Sequence, residues 1–389
     1  MFLAAGPYFQ KRFQSDDWTL ANFQSAELSV STIANLGSVL VFSKLQANAS
    51  YPKRIMAALV INTATFILLA ISTRLFTHVS AGVYFGFLMV VVFAASLAAG
   101  LFQNGIFAYV SGFGQEQYTQ GIMTGQAVAG VLPCIAQIVS VLSVPAKDLE
   151  HDVPEESSTS AFAYFLTATG VSLLALLAFL YLVSQQRFTT RPKRSADATE
   201  DVEEIEDAER KSVPLLTLLR KLFWLASAVF MTFAVTMVFP VFTQEIESVR
   251  PPSGAPRLFE PSSFIPLAFL FWNTGDLIGR LLTGIPALRL TYKPKMLFVF
   301  SIARVVFIPL YLLCNIHGRG AKVDSDFFYL GVVQLLFGVT NGYLGSSCMM
   351  GAVEWVDSDE REAAGGFMGL CLVAGLTVGS LLSFLVAGP

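Results

Sequence analysis

The chain has 389 residues, of which 54% are hydrophobic and only 14% are charged, whereas an average soluble protein has about 25% charged residues. This composition predicts an integral membrane protein. The net charge of −3 excludes the basic surface typical of nucleic-acid-binding domains, so no nucleic-acid partner is expected. The four cysteines lack the paired spacing of disulfide or zinc sites, and we expect no metal and no cofactor.

Ten apolar segments are long enough to cross a bilayer as helices, which takes roughly 20 residues each. A shorter apolar segment, residues 2–9, precedes them. The ten segments lie near residues 28–45, 55–75, 82–106, 121–143, 161–184, 222–243, 263–288, 296–314, 327–349 and 364–387. We therefore predict an all-α polytopic membrane protein, a bundle of eleven helices whose first helix is truncated in its N-terminal half.

The longest connection between the predicted helices begins basic and becomes strongly acidic. A charged run of this kind cannot bury a core, so we expect a largely disordered cytoplasmic loop at residues 185–221. It separates an N-terminal bundle, residues 1–184 (partial helix 1 to helix 6), from a C-terminal bundle, residues 222–389 (helices 7–11). Most lysines and arginines of the connections lie on the same side of the membrane as this loop, which marks that side as cytoplasmic. The predicted helices then place the C-terminus on the opposite side of the membrane.

Few ionisable side chains fall inside the predicted helices, and the most informative group is Asn273, Asp276 and Arg280. Their spacing of i, i+3 and i+7 places all three on one face of a helix. A charge at the bilayer centre costs at least about 2.5 kcal/mol, so this face must line a water-filled cavity or pair with another helix. A binding site and a structural ion pair that locks two helices both satisfy this requirement.

Two further polar residues lie inside predicted helices. Arg304 is placed where it could cap carbonyl groups, which favours a structural role. Gln126 lies beside a seam of small residues, Gly121, Gly125 and Ala129, that is typical of close helix packing. An amide that both donates and accepts hydrogen bonds suits a polar, planar ligand, and a bond to a neighbouring helix is an equal alternative.

Several motifs in this chain resemble those of the equilibrative nucleoside transporters. The eighth-helix motif of that family, Asn-xx-Asp-xxx-Arg, is similar to residues 273–280. Further similarities match the family's fifth, sixth, seventh, ninth, tenth and eleventh helices at residues 118–126, 160–165, 235–240, 304–315, 341–344 and 362–376. Several motifs in the right relative order are a specific signal, whereas any one of them alone is weak.

The resemblance implies a fold of six plus five helices like that of major facilitator transporters. It also implies facilitative transport of nucleosides, with nucleobases as a further substrate class, by alternating access, the substrate being bound between the two bundles. Carried over by position, Gln126 would bond the nucleobase, and Asp276 and Arg280 would bond the ribose hydroxyl groups. The other implied residues are the substrate-contacting Asn273, Thr236 and Leu36 and the structural or gating Arg304, Asn341 and Glu362.

Two alternatives stay open. One is a major-facilitator-type carrier of another small polar solute, and the other is a truncated, non-transporting family member, because the family's Leu-Pro-Trp-Asn stretch in the first helix has no counterpart here. An enzyme is not expected, since the predicted helices hold no histidine and no acidic pair on a common face. The expected partners are a nucleoside and the lipid bilayer, with no obligate protein partner. The expected location is the plasma membrane or a vacuolar or other internal membrane.

Overall fold

The computed structural model describes residues 6–46, 49–75, 79–143, 158–189, 213–251 and 256–387. These ranges contain thirteen α-helices, and their β structure is limited to one isolated bridge between Ile246 and Ile316. The helices are α1 (Gly6–Phe13), α2 (Asp17–Lys44), α3 (Tyr51–Leu75), α4 (Ala81–Gly112), α5 (Glu116–Ser143), α6 (Ser158–Thr189), α7 (Leu215–Thr236), α8 (Val238–Glu245), α9 (Pro261–Leu282), α10 (Pro294–Ala303), α11 (Phe307–Tyr311), α12 (Leu336–Gly351) and α13 (Arg361–Ala387).

Several of these helices follow one another almost without interruption, so they form eleven segments within the described ranges. α7 continues into α8, α10 continues through a 3-10 turn at Arg304–Val306 into α11, and a π-helical segment at Phe328–Leu335 continues into α12. Six segments precede the central loop and five follow it, which confirms the predicted all-α bundle of eleven helices. Residues 1–5, on which the predicted truncation of the first helix depends, and residues 190–212 of the predicted loop lie outside the described residues.

Eight of the described segments are long and apolar enough to cross a membrane. The chain is therefore a multi-pass membrane protein, as predicted. α9 has 22 residues and is long enough to cross, but it is not among the eight. It is the helix that carries Asn273, Asp276 and Arg280, and these polar side chains lower its hydropathy.

Two prolines set where helices are interrupted. Proline lacks an N–H group and its ring collides with the carbonyl group four residues earlier, so it kinks or breaks a helix. Pro240 lies four residues after Thr236, and α7 ends at Thr236. Pro309 likewise follows the 3-10 turn at Arg304–Val306 that separates α10 from α11. The two breaks place Thr236 and Arg304, both predicted site residues, at helix ends.

The largest difference from the predicted boundaries concerns α2, which begins at Asp17 rather than near residue 28. Asp16 caps this helix, because its carboxylate accepts hydrogen bonds from the N–H of Trp18 (3.2 Å) and the hydroxyl of Thr19 (2.6 Å). The prediction followed the apolar run, which starts later than the cap. The correction brings Glu27 inside the helix, where it is 4% exposed.

The helices form two compact units. The first comprises Met1–Tyr109 and Val153–Val213, and the second comprises Val110–Asp152 and Pro214–Pro389. The core of the first unit is aromatic, with the ring centroid of Phe13 lying 5.4 Å from that of Phe23 and 6.0 Å from that of Tyr84. In the second unit α5 lies beside α9, and stacked Phe239 and Trp272, 4.3 Å apart, form part of the core. All residues of the candidate site described below except Leu36 belong to the second unit.

Candidate functional site

The centre of the candidate site is a buried ion pair on α9. Arg280 Nε donates a hydrogen bond of 2.7 Å to Asp276 Oδ2. Asp276 is 3% exposed and Arg280 is 6% exposed. Because the two opposite charges lie one helical turn apart, each offsets much of the free energy needed to place the other away from water.

Asp276 also joins α9 to α12. Asn341 Nδ2, on α12, donates a hydrogen bond of 2.6 Å to Asp276 Oδ1, so each carboxylate oxygen has a partner. Asn341 is fully buried. A hydrogen bond to a charged group contributes about 1.5–3 kcal/mol. Asn341, which the sequence indicated only as a structural or gating residue, is thus in direct contact with the carboxylate of the candidate site.

The contact between α9 and α12 is unusually close because glycines line both sides of it. Gly275 and Gly279 of α9 face the backbone of α12, and Gly338 and Gly342 of α12 face the backbone of α9. A Cβ atom at any of these positions would lie within 2.2 Å of a carbonyl oxygen on the facing helix. Glycine is therefore required for this approach, and the approach places Asn341 against Asp276.

A second cation, Arg304, connects to the ion pair through neutral side chains. Arg304 Nη2 donates to Thr236 Oγ1 at 3.0 Å, and the Thr236 hydroxyl donates to Asn341 Oδ1 at 2.6 Å. Arg304 also donates to the carbonyl oxygen of Thr232 and, at 3.2 Å, to the hydroxyl of Thr340. These bonds tie the break after α10 to α7 and α12. They form a continuous chain that runs from Arg304 to Asp276.

Arg280 extends the network to α5. Its Nη1 donates to the carbonyl oxygen of Met123 at 2.6 Å and to Gln126 Oε1 at 3.3 Å. Gln126 is exposed. Neither its amide nitrogen nor Arg280 Nη2 has a hydrogen-bond partner among the described residues. Two sets of donors and the remaining lone pairs of Asp276 are therefore available to a ligand.

Asn273 lies on the same helix face as Asp276, but it bonds elsewhere. Its Nδ2 donates to the carbonyl oxygen of Phe269 at 2.8 Å and contacts Cys134 Sγ of α5 at 3.6 Å. Its Oδ1 lies against Gly130 of α5, where an added Cβ atom would come within 2.3 Å of it. Asn273 therefore fixes the spacing of α5 and α9 about one turn away from the ion pair.

The predicted seam of small residues on α5 is wrong as a site of close helix packing. A Cβ atom added at Gly121 or Gly125 would have no neighbour within 4 Å, and Ala129 is exposed. The close contact of α5 is at Gly130 instead. Within the described ranges, no other helix packs on the small residues beside Gln126.

Two other predicted residues lie apart from the network. Glu362 is half-buried in the first turn of α13, with its side chain against Gly112 at the end of α4. Leu36 is half-buried in α2 and belongs to the first unit. The roles of both residues stay predictions.

Two contacts in the network were not predicted from the sequence. Met123 contributes a backbone carbonyl oxygen, which no residue type signals. The bond between Asn341 and Asp276 depends on the register of α9 against α12. The matching four-residue spacing of two glycine pairs, Gly275 with Gly279 and Gly338 with Gly342, is the signal that could have found it.

Comparisons with known proteins agree with the resemblance. The family model described as Nucleoside transporter matches residues 87–387. Nucleoside transporter FUN26 of Saccharomyces cerevisiae is 30% identical, over 98% of this chain and 80% of its own length. Equilibrative nucleoside transporter 1 is 29% identical in Rattus norvegicus and 28% identical in Homo sapiens, each over 92% of this chain and 81% of the relative.

A solved structure supports the fold independently. The crystal structure of the major facilitator superfamily transporter FucP in the outward conformation matches with a TM-score of 0.55, covering 98% of this chain and 90% of that chain. The sequence identity is 14%, so this likeness concerns the fold alone, and it confirms the predicted major-facilitator-like bundle. Because the family model matches most of the residues and the relatives are covered over most of their length, the chain belongs to the nucleoside transporter family.

Proposed function

We propose that this protein is a facilitative carrier that moves nucleosides across a membrane by alternating access. The observation that carries the proposal is the buried ion pair of Asp276 and Arg280 together with the exposed Gln126, whose spare donors and acceptors lie in an otherwise apolar bundle. A nucleoside is neutral overall and carries two neighbouring hydroxyl groups and a planar base. A mostly apolar site with a few convergent polar groups suits such a ligand. The names of the relatives support the same substrate class.

Each residue of the network has a role that follows from its chemistry. A pair of ribose hydroxyl groups can donate to Asp276 and accept from Arg280 Nη2 at the same time. The Gln126 amide offers one donor and one acceptor side by side, which matches the polar edge of a nucleobase. Asn273 of α9 and Thr236 at the end of α7 would hold the spacing of the helices on which the network depends.

Substrate binding would exchange one of the bonds that Arg280 makes to α5. The contact of Arg280 Nη1 with Gln126 is 3.3 Å long, whereas the bond between Arg280 Nε and Asp276 is 2.7 Å long. The longer contact is the weaker one. A nucleobase would therefore replace Arg280 Nη1 as the partner of Gln126. Binding then loosens a contact between α5 and α9 while the ion pair stays closed.

The test is transport by the full chain in proteoliposomes. We expect saturable uptake of radiolabelled uridine and adenosine, competition by other unlabelled nucleosides, and counterflow when the vesicles are preloaded. Hexoses and amino acids test the alternative, which is a major-facilitator-type carrier of another small polar solute. Uptake of one of these solutes without uptake of nucleosides would contradict the proposal. Recovery of chemically unchanged uridine from the vesicles would separate a carrier from an enzyme.

We further propose that the central loop lies in the cytoplasm and the C-terminus on the opposite side, in the plasma membrane or in a vacuolar or other internal membrane. The excess of lysine and arginine on the side of the loop supports this orientation. An epitope inserted near residue 200 should be reached by antibody only after the membrane is permeabilised. An epitope that is accessible on intact cells would contradict the orientation at the plasma membrane.

A further inference from the structure

Glu27 is a buried carboxyl group for which the proposed transport mechanism has no use. It lies about three turns after the start of α2 and is 4% exposed. Between Asp17 and Lys44, at the two ends of α2, Glu27 is the sole charged residue of the helix. Among the described residues, no hydrogen bond or ion pair reaches it.

Contacts one turn before and one turn after Glu27 show which way its side chain faces. Phe23 packs against Phe13 of α1, with the ring centroids 5.4 Å apart. Ser31 accepts a hydrogen bond of 2.9 Å from Ser96 of α4. Residues four apart share one face of a helix, so Glu27 faces α1 and α4 between these two contacts, in the interior of the first unit.

The helices that contact α2 place no cation on this carboxyl group in the described part of the chain. α4 has no charged residue from Ala81 to Gly112. Arg12 is engaged with the carbonyl oxygen of Val79 at 2.9 Å, and Arg54 contacts α2 near its other end. The titratable and charged groups on these helices include Tyr8, the exposed Lys11 and the half-buried Arg12 of α1, Tyr84 and Tyr109 of α4, and Arg54 of α3.

We propose that Glu27 is a proton-binding site, that it carries a proton in the conformation described here, and that its protonation makes transport depend on pH. A carboxylate held away from water in an apolar helix bundle is disfavoured, and uptake of a proton from water removes the charge. The step converts a carboxylate and a hydrated proton into a neutral carboxylic acid and water. The part that concerns transport rests on the proposed function, whereas the part that concerns protonation does not.

The direction of the effect follows from the burial of Glu27. A conformation in which water reaches the side chain favours the carboxylate, and the conformation described here favours the neutral acid. A proton that binds one conformation better shifts the population toward it. Lowering the pH should therefore populate the present conformation, and raising the pH should depopulate it.

The first test measures protonation directly and uses no substrate. Infrared spectra of the purified full chain near neutral pH should show the band of a protonated carboxyl group. Glu27→Gln should reduce the intensity of this band, and Glu27→Asp should shift the Glu27 contribution, because the shorter side chain still carries the acid. Glu260→Gln is the matched control, since Glu260 is exposed and makes no side-chain cap to α9.

The second test measures uridine counterflow in proteoliposomes between about pH 5.5 and pH 8. The wild type and Glu260→Gln should show the same pH-dependent rate, and Glu27→Gln should show a rate that varies less with pH. A band that neither Glu27 variant changes, or a pH profile that Glu27→Gln leaves as in the wild type, would overturn the proposal. Absence of uridine transport in every variant would contradict the proposed function, and the infrared band would then decide the proton site alone.

Discussion

Asn341 Nδ2 and Asp276 Oδ1 lie 2.6 Å apart at the place where the backbones of α9 and α12 touch. Asp276 is the carboxylate that also holds Arg280. The position of the Asp276 carboxylate is therefore set by the packing of α9 against α12 and not by rotation of its own side chain. Substitutions that alter the spacing of α9 and α12 should affect the site even when they touch no ligand.

Gly342→Ala should disrupt the site through the backbone. The added Cβ atom would lie 1.9 Å from the carbonyl oxygen of Asp276, so the helices must separate, and overpacking of this kind costs about 1–3 kcal/mol. We expect a lower melting temperature and a severe loss of uridine uptake. Gly121→Ala is the matched control, because its Cβ atom meets open space and alanine favours a helix by about 0.5–1 kcal/mol. Equal melting temperatures for the two variants would contradict the close contact.

Asp276→Asn should destabilise the protein because it leaves the buried charge of Arg280 without its counter-ion. Removal of one partner from a buried ion pair costs about 3–5 kcal/mol. The double variant Asp276→Asn with Arg280→Gln removes both charges, so it should recover much of the melting temperature while uridine uptake stays absent. A double variant as unstable as the single one would show that the charge is not the cause.

Arg280→Lys keeps the charge but should still impair transport. Arg280 bonds Asp276 and the carbonyl oxygen of Met123 at the same time through two nitrogens of its planar guanidinium group. A lysine ammonium is a point charge on a flexible chain and cannot reproduce this geometry. Loss of one hydrogen bond to a charged group predicts about a tenfold to hundredfold rise in KM for uridine. Arg319→Lys, at an exposed arginine, should leave KM unchanged. The same KM in both variants would rule out the proposed contacts.

The cap of α2 should give a pH-dependent contribution to stability. The hydrogen bond from Thr19 holds the pKa of the Asp16 carboxyl below its ordinary value of 3.8. A lowered pKa in the folded state means that this stabilisation is present above the ordinary value and is lost as the pH falls through the folded-state pKa. Asp16→Ala should therefore melt at a lower temperature than the wild type at pH 7, and the difference should shrink below about pH 4.

Asp16→Asn is the control for that experiment. Asparagine is also a good N-cap but does not titrate in this range. At pH 7 the melting temperature of Asp16→Asn should be close to that of the wild type. At low pH the cap of Asp16→Asn should keep its contribution to stability, whereas the wild type loses the contribution of the charged cap. A difference between Asp16→Ala and the wild type that is constant with pH would show that the carboxylate charge plays no part in the cap.

The number of helices could be predicted from the sequence, because length and hydropathy report directly on what a bilayer requires. The start of α2 could not, since its first turns are polar and the signal is the Asp16 cap rather than an apolar residue. For the same reason Glu27 fell outside the predicted helix. Hydropathy marks where a helix meets lipid, and it does not mark where the helix begins.

The candidate site shows the same division. The spacing of Asp276 and Arg280 on one helix is a local property, so the sequence predicted their common face correctly. The partners Asn341 and Met123 come from other helices, and their contact depends on packing that no single segment encodes. Gln334 illustrates the limit, since this fully buried amide bonds Tyr311, Thr243 and Tyr329 within a π-helical segment that the hydropathy pattern does not distinguish from an α-helix.

Equilibrium binding of uridine to the purified full chain tests most directly the central claim that Gln126, Asp276 and Arg280 bind the nucleoside. Titration calorimetry should show saturable binding to the wild type and to the control Glu260→Gln. It should show binding weakened about tenfold or more for Gln126→Ala, which removes a hydrogen-bonding group from an exposed position. Binding should be absent for the double variant Asp276→Asn with Arg280→Gln, provided that this variant elutes as a folded protein. Wild-type affinity in Gln126→Ala and in the folded double variant would contradict the claim.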